Sequence, residues 1–159
     1  VYPDDVFSCN KVLVFNLGFD SKGNDKLNSW VYVPEKEFIF YRIGYYDNIM
    51  NTDRMSLYVE IGFSQKQEML KEGLYLDRIL SDLRKMGIIT TQKLVDYEAV
   101  LMNPAYVHIN KKSVETVEEY KEILEKNDIY SIGRYGSWTY CSIEDNILEA
   151  RELAEKLNK

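Results

Sequence analysis

Apolar positions follow two different periods along this chain, and each change of period marks a change of element. Residues 11–17 are almost continuously apolar and β-branched, which predicts a buried strand. Residues 55–63 carry an apolar side chain at every second position, and a period of two predicts a half-buried strand. Further strands are predicted at residues 93–102, 105–109 and 128–132.

Three segments instead show helical spacing. Apolar residues from Leu76 to Met86 recur every three or four positions, and Gly87 follows as a helix-ending signal. A second helix is predicted to begin at Ser113 or Thr116. A third follows a capping pair, and its apolar face consists of Ile143, Ile147, Ala150, Ala154 and Leu157. The order of elements predicts an α+β fold with a mixed, largely antiparallel sheet and about three helices.

Composition and charge narrow the class of partners. The chain has 159 residues, of which 45% are hydrophobic, as in an ordinary globular domain. Its net charge of −6 and the lack of a basic patch argue against nucleic acid and anionic membranes as main partners. No apolar run is long enough to span a membrane and no signal segment opens the chain, so we expect a cytoplasmic protein. The thirteen tyrosines suit either a sheet core or an aromatic-lined pocket.

Cysteine and histidine usage argues against several chemistries. Cys9 and Cys141 are far apart and belong to no CxxC motif, so reduced thiols are favoured over a disulfide. His108 is the only histidine, which argues against a zinc site and against a Ser–His–Asp triad. We therefore expect no metal site, and a structural role for His108.

The segment from Ile132 to Ile147 is the most informative for function. Gly133 and Gly136 allow the backbone to approach a ligand, and Arg134 can pair with a phosphate. The predicted helix beginning at Ile143 presents free N–H groups. These features are typical of a site for a phosphate-bearing cofactor, although a tight turn followed by an ordinary helix cap would give the same pattern.

This segment resembles a known family. The pattern Gly133-Arg-Tyr-Gly136-x-Trp138-x-Tyr140 is similar to the last FAD-contacting segment of amine-oxidase-like flavoproteins, including relatives of protoporphyrinogen oxidase and UDP-galactopyranose mutase. Looser matches extend the resemblance over nearly the whole chain: Val14–Gly18, Trp30–Pro34, Phe40–Arg42, Leu57–Glu60, Met86–Ile88 and Ala105–Tyr106. The part of such enzymes that this chain resembles is the C-terminal, substrate-side part.

The resemblance implies FAD as cofactor and assigns residues to it. Gly133 and Arg134 would lie near the pyrophosphate, and Trp138 would wall the pocket. The contacts near the isoalloxazine and ribityl groups would come from Tyr140, Ser142, Ile143 and Asp145. Two departures weaken the match: Val107 stands where the family often has Pro, and Cys141-Ser142-Ile143 stands where it often has Met or Asn before the acidic pair.

The family's N-terminal G-x-G-x-x-G motif, which holds the ADP half of FAD, does not occur in this sequence. We therefore expect a fragment of a two-domain flavoprotein, with residues 1–126 forming a substrate-side domain. Residues 127–159 would form a strand and helix that complete the missing N-terminal FAD domain, which is the expected partner. Alone, the fragment is expected to bind FAD weakly or not at all and to be inactive.

The substrate-side candidates are Tyr32, Tyr41, Arg42, Tyr45 and Glu60. Arg42 among tyrosines could hold an anionic substrate such as a nucleotide sugar through paired hydrogen bonds. The alternative is that Arg42 simply pairs with Glu60 on a neighbouring strand. No catalytic residue is assigned.

Three functions are compared. The first is part of an FAD-dependent oxidoreductase or of a UDP-galactopyranose mutase-like enzyme, with lipopolysaccharide biosynthesis as one possible role. The second is a non-catalytic α+β binding or interaction module. The third is a small hydrolase, which the lone His108 and the lack of a G-x-S-x-G motif disfavour. The fragment hypothesis predicts a large exposed apolar surface and self-association through it, whereas the binding module predicts a complete core.

Overall fold

A computed structural model describes residues 6–158, and it divides into two compact units. The strand unit consists of residues 11–103. The described part of the terminal unit combines residues 6–10 with residues 104–158. Each unit is described separately.

The strand unit holds most of the sheet. The strands are β1 (Ser8–Phe19, whose first three residues belong to the terminal unit), β2 (Trp30–Tyr32), β3 (Arg42–Tyr45), β4 (Ser56–Ser64) and β5 (Leu94–Met102), with helices α1 (Tyr46–Met50) and α2 (Glu72–Lys85). The strand order is β2-β3-β4-β1-β5. β2 pairs antiparallel with β3, β3 with β4, and β1 with β5.

The core of the strand unit lies where the alternating patterns of the strands meet α2. Phe15 on β1 is fully buried, as are Leu57 and Val59 on β4. Ile79 and Leu83, one helical turn apart on α2, are also fully buried and belong to the same cluster. The strands predicted at 11–17, 55–63 and 93–102 and the helix before Gly87 are therefore confirmed.

A buried carboxylate fastens α2 to the loop before β3. Asp82 is completely buried, and its Oδ2 accepts hydrogen bonds from the backbone N–H of Ile39 at 3.0 Å and from Nε of Arg78 at 2.9 Å. Arg78 in turn donates to the carbonyl of Glu37. These bonds satisfy groups that burial would otherwise leave unpaired.

The terminal unit is mainly helical. Its elements are β6 (Val107–His108), α3 (Lys111–Glu125), α4 (Gly133–Gly136) and α5 (Ile143–Leu157). β6 pairs antiparallel with the start of β1, where Ser8 lies opposite His108 and Cys9 opposite Val107. Among the described residues of this unit, the buried ones are Val6, Cys9, Ala105 and Ser113. The strand predicted within 105–109 is confirmed.

Two sequence predictions for the terminal unit are wrong. Residues 128–132 form no strand. Instead Asp128 takes a positive φ of 58° as the chain leaves α3, and the residues after it have no strand to pair with. Helix α3 begins neither at Ser113 nor at Thr116, because Asn110 is its N-cap, with Ser113 as the reciprocal partner of the capping box.

The predicted α+β class, with a largely antiparallel sheet, is confirmed. Of the five helices in the described part of the chain, α2, α3 and α5 correspond to the three predicted from spacing. Helices α1 and α4 are short additions of five and four residues. None of the helices described between residues 6 and 158 has both the length and the apolar character required to cross a bilayer. The predicted domain boundary at residue 126 stays a prediction.

Candidate functional site

The segment singled out by its glycines folds as the corner between α4 and α5, within the terminal unit. Gly133 adopts a positive φ of 80°, a conformation that favours glycine. Its N–H donates to Oε2 of Glu149 at 2.8 Å, and the N–H of Arg134 donates to Oδ1 of Asn146 at 3.2 Å. The two amides at the start of α4 are therefore occupied by side chains of α5.

The carboxylate of Glu149 has further partners. Its Oε1 accepts a hydrogen bond from Oγ of Ser137 at 3.2 Å and lies 3.7 Å from Nζ of Lys121. Lys121 also donates to Oγ of Ser137 at 2.7 Å. The corner is thus arranged around a negative charge, which the chain itself supplies.

Arg134 is held by neighbours on both sides. Its guanidinium donates to the carbonyl of Cys141 at 2.7 Å. It lies 5.1 Å from the ring centroid of Tyr140 and 5.8 Å from that of Tyr106, distances at which a cation is attracted to an aromatic ring. The two rings stack with centroids 6.3 Å apart, although Tyr140 is 72% exposed.

Trp138 borders a pocket of about 250 Å³ in the terminal unit. Its ring meets Phe7 edge to face with centroids 5.0 Å apart, and its Nε1 donates to the carbonyl of His108 at 3.3 Å. The remaining lining is largely apolar and consists of Val117, Tyr120, Lys121, Leu124, Ser131, Tyr135 and Gly136. Four of the nine lining residues belong to α3, and the role of Trp138 as a wall of a flavin pocket stays a prediction.

The predicted capping pair at the start of α5 is confirmed. The N–H of Asp145 donates to Oγ of Ser142 at 3.1 Å, and the N–H of Ser142 donates to Oδ2 of Asp145 at 2.7 Å. The hydrogen bonds from the backbone and hydroxyl of Ser142 lower the pKa of the Asp145 carboxyl. Ile143, the first residue of α5, is 81% exposed.

In this arrangement the corner does not fit a pyrophosphate at Gly133 and Arg134. A diphosphate placed there would have to displace the Glu149 carboxylate, which would otherwise repel it. Arg134 would also have to leave the carbonyl of Cys141. The residues are brought together as the sequence predicts, but they satisfy one another.

The substrate-side candidates lie on β3 and its neighbours, in the strand unit. Arg42 lies opposite Glu60 in the register of β3 and β4, and the two form an ion pair. The hydroxyl of Tyr41 donates a hydrogen bond to the other carboxylate oxygen of Glu60. Glu60 itself is only 4% exposed. Burial alone would lower the pKa of the Arg42 guanidinium, but hydrogen bonds with Glu60 and Tyr32 raise it overall, so Arg42 remains charged. The structure therefore contains the cross-strand pair of Arg42 and Glu60 that the sequence suggested as the alternative to substrate binding.

The tyrosines of this cluster differ in exposure. Tyr32 is 62% exposed, whereas Tyr45 is 3% exposed, and burial raises the pKa of Tyr45 to about 12. Tyr58 adds a ring 5.7 Å from the Arg42 guanidinium. A side chain at Gly44 would collide with that ring, because a Cβ there would lie 1.9 Å from Cε1 of Tyr58.

Sequence reasoning missed the two α5 residues that organise the corner, Asn146 and Glu149. Their signal was their spacing of three positions on the polar face of α5, which looks like an ordinary solvated face. Lys121, eleven positions into α3, carried no local signal.

The imidazole of His108 forms a hydrogen bond between its Nδ1 and Oγ of Ser8 at 3.0 Å. Both cysteines are free thiols, Cys9 buried and Cys141 half-buried. Between residues 6 and 158 there is no group of three or more His, Cys, Asp or Glu side chains placed to hold a metal ion.

Comparisons with known proteins show the fold. No family model matches this chain, and no curated protein matches it. Among solved structures, the crystal structure of a reduced UDP-galactopyranose mutase matches 86% of this chain with a TM-score of 0.72 and 24% sequence identity. The matched region spans 30% of that mutase chain. The fold described here is therefore similar to one part of a UDP-galactopyranose mutase.

Proposed function

We propose that this chain is the substrate-side part of an FAD-dependent enzyme, an oxidoreductase or a mutase similar to UDP-galactopyranose mutase. The observation that carries the proposal is the fold likeness over 86% of this chain, which spans 30% of the mutase. The Gly133–Tyr140 motif supports it independently from the sequence. We further propose that the enzyme acts in lipopolysaccharide biosynthesis and is located in the cytoplasm.

The Arg42 cluster supports a role in binding an anionic substrate. The Arg42 side chain is 24% exposed, and its Nε is buried with no acceptor among the described residues. Tyr41 directly precedes Arg42 in the sequence, and Tyr32 lies opposite Arg42 on β2. Both tyrosines could add hydroxyl contacts to a nucleotide sugar. Tyr45, at 3% exposure, would hold β3 in place from the core.

The cofactor contacts proposed for Gly133, Arg134, Trp138, Tyr140, Ser142, Ile143 and Asp145 carry one condition. The amides of Gly133 and Arg134 become available only if Glu149 and Asn146 turn away. When bound, FAD would supply the redox or nucleophilic flavin chemistry. This chain's residues would supply hydrogen-bond donors and aromatic walls around it.

The exposed edge strand β5 supports the proposal that a further domain packs against this chain. Val95 is 64% exposed, Leu101 47% and Val100 40%. An edge strand of nine residues with exposed apolar side chains is a surface that proteins usually cover. We propose that the FAD domain of the same enzyme supplies the missing part of the structure.

Two flavin measurements test the proposal. The isolated chain is titrated into FAD while flavin fluorescence and absorbance are recorded, and we expect no saturable change. The reading frame is then extended upstream of Val1, and the longer protein is purified and examined for a bound flavin spectrum. We expect a yellow protein whose upstream region contains a dinucleotide-binding fingerprint.

Each outcome has a definite consequence. An isolated chain that retains FAD through gel filtration would contradict the requirement for further protein. A longer protein that is colourless after reconstitution with FAD would contradict the flavoenzyme proposal itself. Arg42→Ala in the longer protein tests the substrate role: unchanged affinity for the nucleotide sugar would remove Arg42 from the site.

A non-catalytic binding module is the second candidate. It is favoured by the complete core of the strand unit, in which β1, β4 and α2 bury their apolar faces among themselves. If the gene encodes no upstream flavin-binding region, this candidate becomes the better explanation.

A further inference from the structure

Helix α5 carries an apolar stripe that its own unit leaves exposed. The α5 stripe consists of Ile143, Ile147, Ala150, Ala154 and Leu157. Ile143 is 81% exposed, Ile147 63% and Leu157 55%, and both alanines are also exposed. The spacing is four, three, four and three residues, which is the spacing of a coiled-coil seam. A stripe with this spacing is suited to pack against another helix.

The opposite face of α5 fixes which way the stripe points. Asn146 and Glu149 accept hydrogen bonds from the backbone of α4, at 3.2 Å and 2.8 Å. Leu153 is half-buried on the same side. Because polar contacts hold α5 by this inner face, the helix cannot rotate to bury its stripe without breaking them.

We propose that the α5 stripe binds the α5 stripe of a second copy of this chain, with the two helices antiparallel. In that register Ile147 of one copy lies against Ala150 of the other, and Ile143 lies against Ala154. Every central layer then combines a large side chain with a small one, which fills the space beside each alanine. A parallel pair would instead place Ile on Ile and leave the alanine layers thin.

Charge complementarity favours the same orientation. Glu144 and Arg151 flank the stripe, and the antiparallel register places Glu144 of each copy opposite Arg151 of the other, giving two ion pairs by symmetry. Among the described residues of one copy, Arg151 forms an ion pair with the exposed Glu155, at 3.8 Å. Such an exposed pair contributes little and is easily exchanged. A parallel pair would place Asn146 opposite Arg151 and form no such ion pair.

The size of the contact sets the expected affinity. Helix α5 has 15 residues, so a single helix pair is only about 22 Å long. Its buried area falls below the roughly 1,600 Å² of a standard interface. We therefore expect a reversible dimer whose population rises with protein concentration.

This inference goes beyond the proposed function, because it concerns the 159-residue chain and requires neither flavin nor substrate. Flavin titration and mass measurement are independent readouts. A monomeric chain and a colourless longer protein are therefore distinguishable failures.

The test is sedimentation equilibrium over a wide range of protein concentration. The wild-type chain is expected to shift from monomer to dimer. Ile147→Glu, which places a charge in the middle of the stripe, is expected to raise the dissociation constant at least about tenfold. Glu152→Lys changes a charge on α5 outside the stripe and is the matched control, expected to dimerise as the wild type does.

A charge exchange tests the orientation. Glu144→Arg and Arg151→Glu are each expected to weaken the dimer, and the double variant is expected to regain it. Far-UV circular dichroism verifies that each variant keeps its helices. A wild-type chain that is monomeric at every concentration, a dimer that survives Ile147→Glu, or a double variant that does not regain affinity would each overturn the proposal.

Discussion

The strand unit and the terminal unit use apolar side chains in opposite ways. In the strand unit the periodic positions point inward, so that Phe15, Leu57, Ile79 and Leu83 are essentially inaccessible to solvent. In the terminal unit the periodic stripe of α5 points outward, while the helix is held by polar contacts of Glu149 and Asn146. Periodicity identifies a helix in both units, but it does not reveal which partner the apolar face meets.

The largest expected effect comes from removing a core side chain of the strand unit. Phe15→Ala deletes a fully buried ring, and such a change typically costs about 3–5 kcal/mol of unfolding free energy. Urea denaturation followed by circular dichroism measures the loss.

The matched control lies in the terminal unit. Ile129 is 53% exposed, so Ile129→Ala should change the free energy of unfolding by no more than about 0.5 kcal/mol. If the two substitutions were equally costly, the contrast between the units would be wrong.

A second expected effect concerns the polar face of α5. Glu149→Ala removes the acceptor for the N–H of Gly133 and for Oγ of Ser137, and it leaves Lys121 without this carboxylate. Hydrogen bonds to a charged group are typically worth about 1.5–3 kcal/mol, reduced here by partial exposure. We expect the terminal unit to open more easily by about 1–2 kcal/mol, seen as faster amide hydrogen exchange over residues 131–147.

Glu152 serves as the comparison, since it is exposed on the same helix. Glu152→Ala should leave exchange over residues 131–147 unchanged. Equal acceleration by both variants would mean that loss of helix charge, rather than loss of the corner contacts, is responsible.

The sequence predicts the strand unit well because its signals are local and its partners are within the same unit. The alternation over residues 55–63 and the spacing from Leu76 to Met86 each define one buried face, and the core is formed by joining those faces. Arg42 and Glu60 could be paired in advance because they lie on neighbouring strands.

The terminal unit is harder to predict because long-range polar contacts determine it. Asn110 and not Ser113 is the N-cap of α3, although both are good capping residues. Residues 128–132 have a strand-like composition but no strand beside them. The resemblance pointed to Gly133 and Arg134 at the corner between α4 and α5. The carboxylate of Glu149, which occupies that corner, could be found only from the folded chain.

A third expected effect is a loss of strand-unit stability in alkali. Burial raises the pKa of Tyr45 to about 12, from an ordinary value of 10.0. Because the folded pKa lies above the unfolded one, the stabilisation is fully present below about pH 10 and is lost as the pH rises towards 12. We expect a loss of about 1–2 kcal/mol across this window, and Tyr45→Phe should lack this component. An identical pH dependence in the two proteins would contradict the assignment to Tyr45.

The smallest expected effect compares the start of α5 with the start of α2. The bonds from Ser142 lower the pKa of Asp145 below its ordinary value of 3.8, so this carboxylate stabilises the cap above that pH and stops doing so as the pH falls through its folded pKa. The N-cap of α2, Lys71, makes no side-chain cap hydrogen bond. On acidification below about pH 4, corrected for intrinsic rates, amide exchange should accelerate selectively in the first turn of α5. Asp145→Asn should show the acid behaviour already at neutral pH, because a neutral amide holds the helix start less strongly than a carboxylate. If α2 and α5 fray in parallel, acid acts on the whole chain and the capping box contributes nothing separable to the terminal unit.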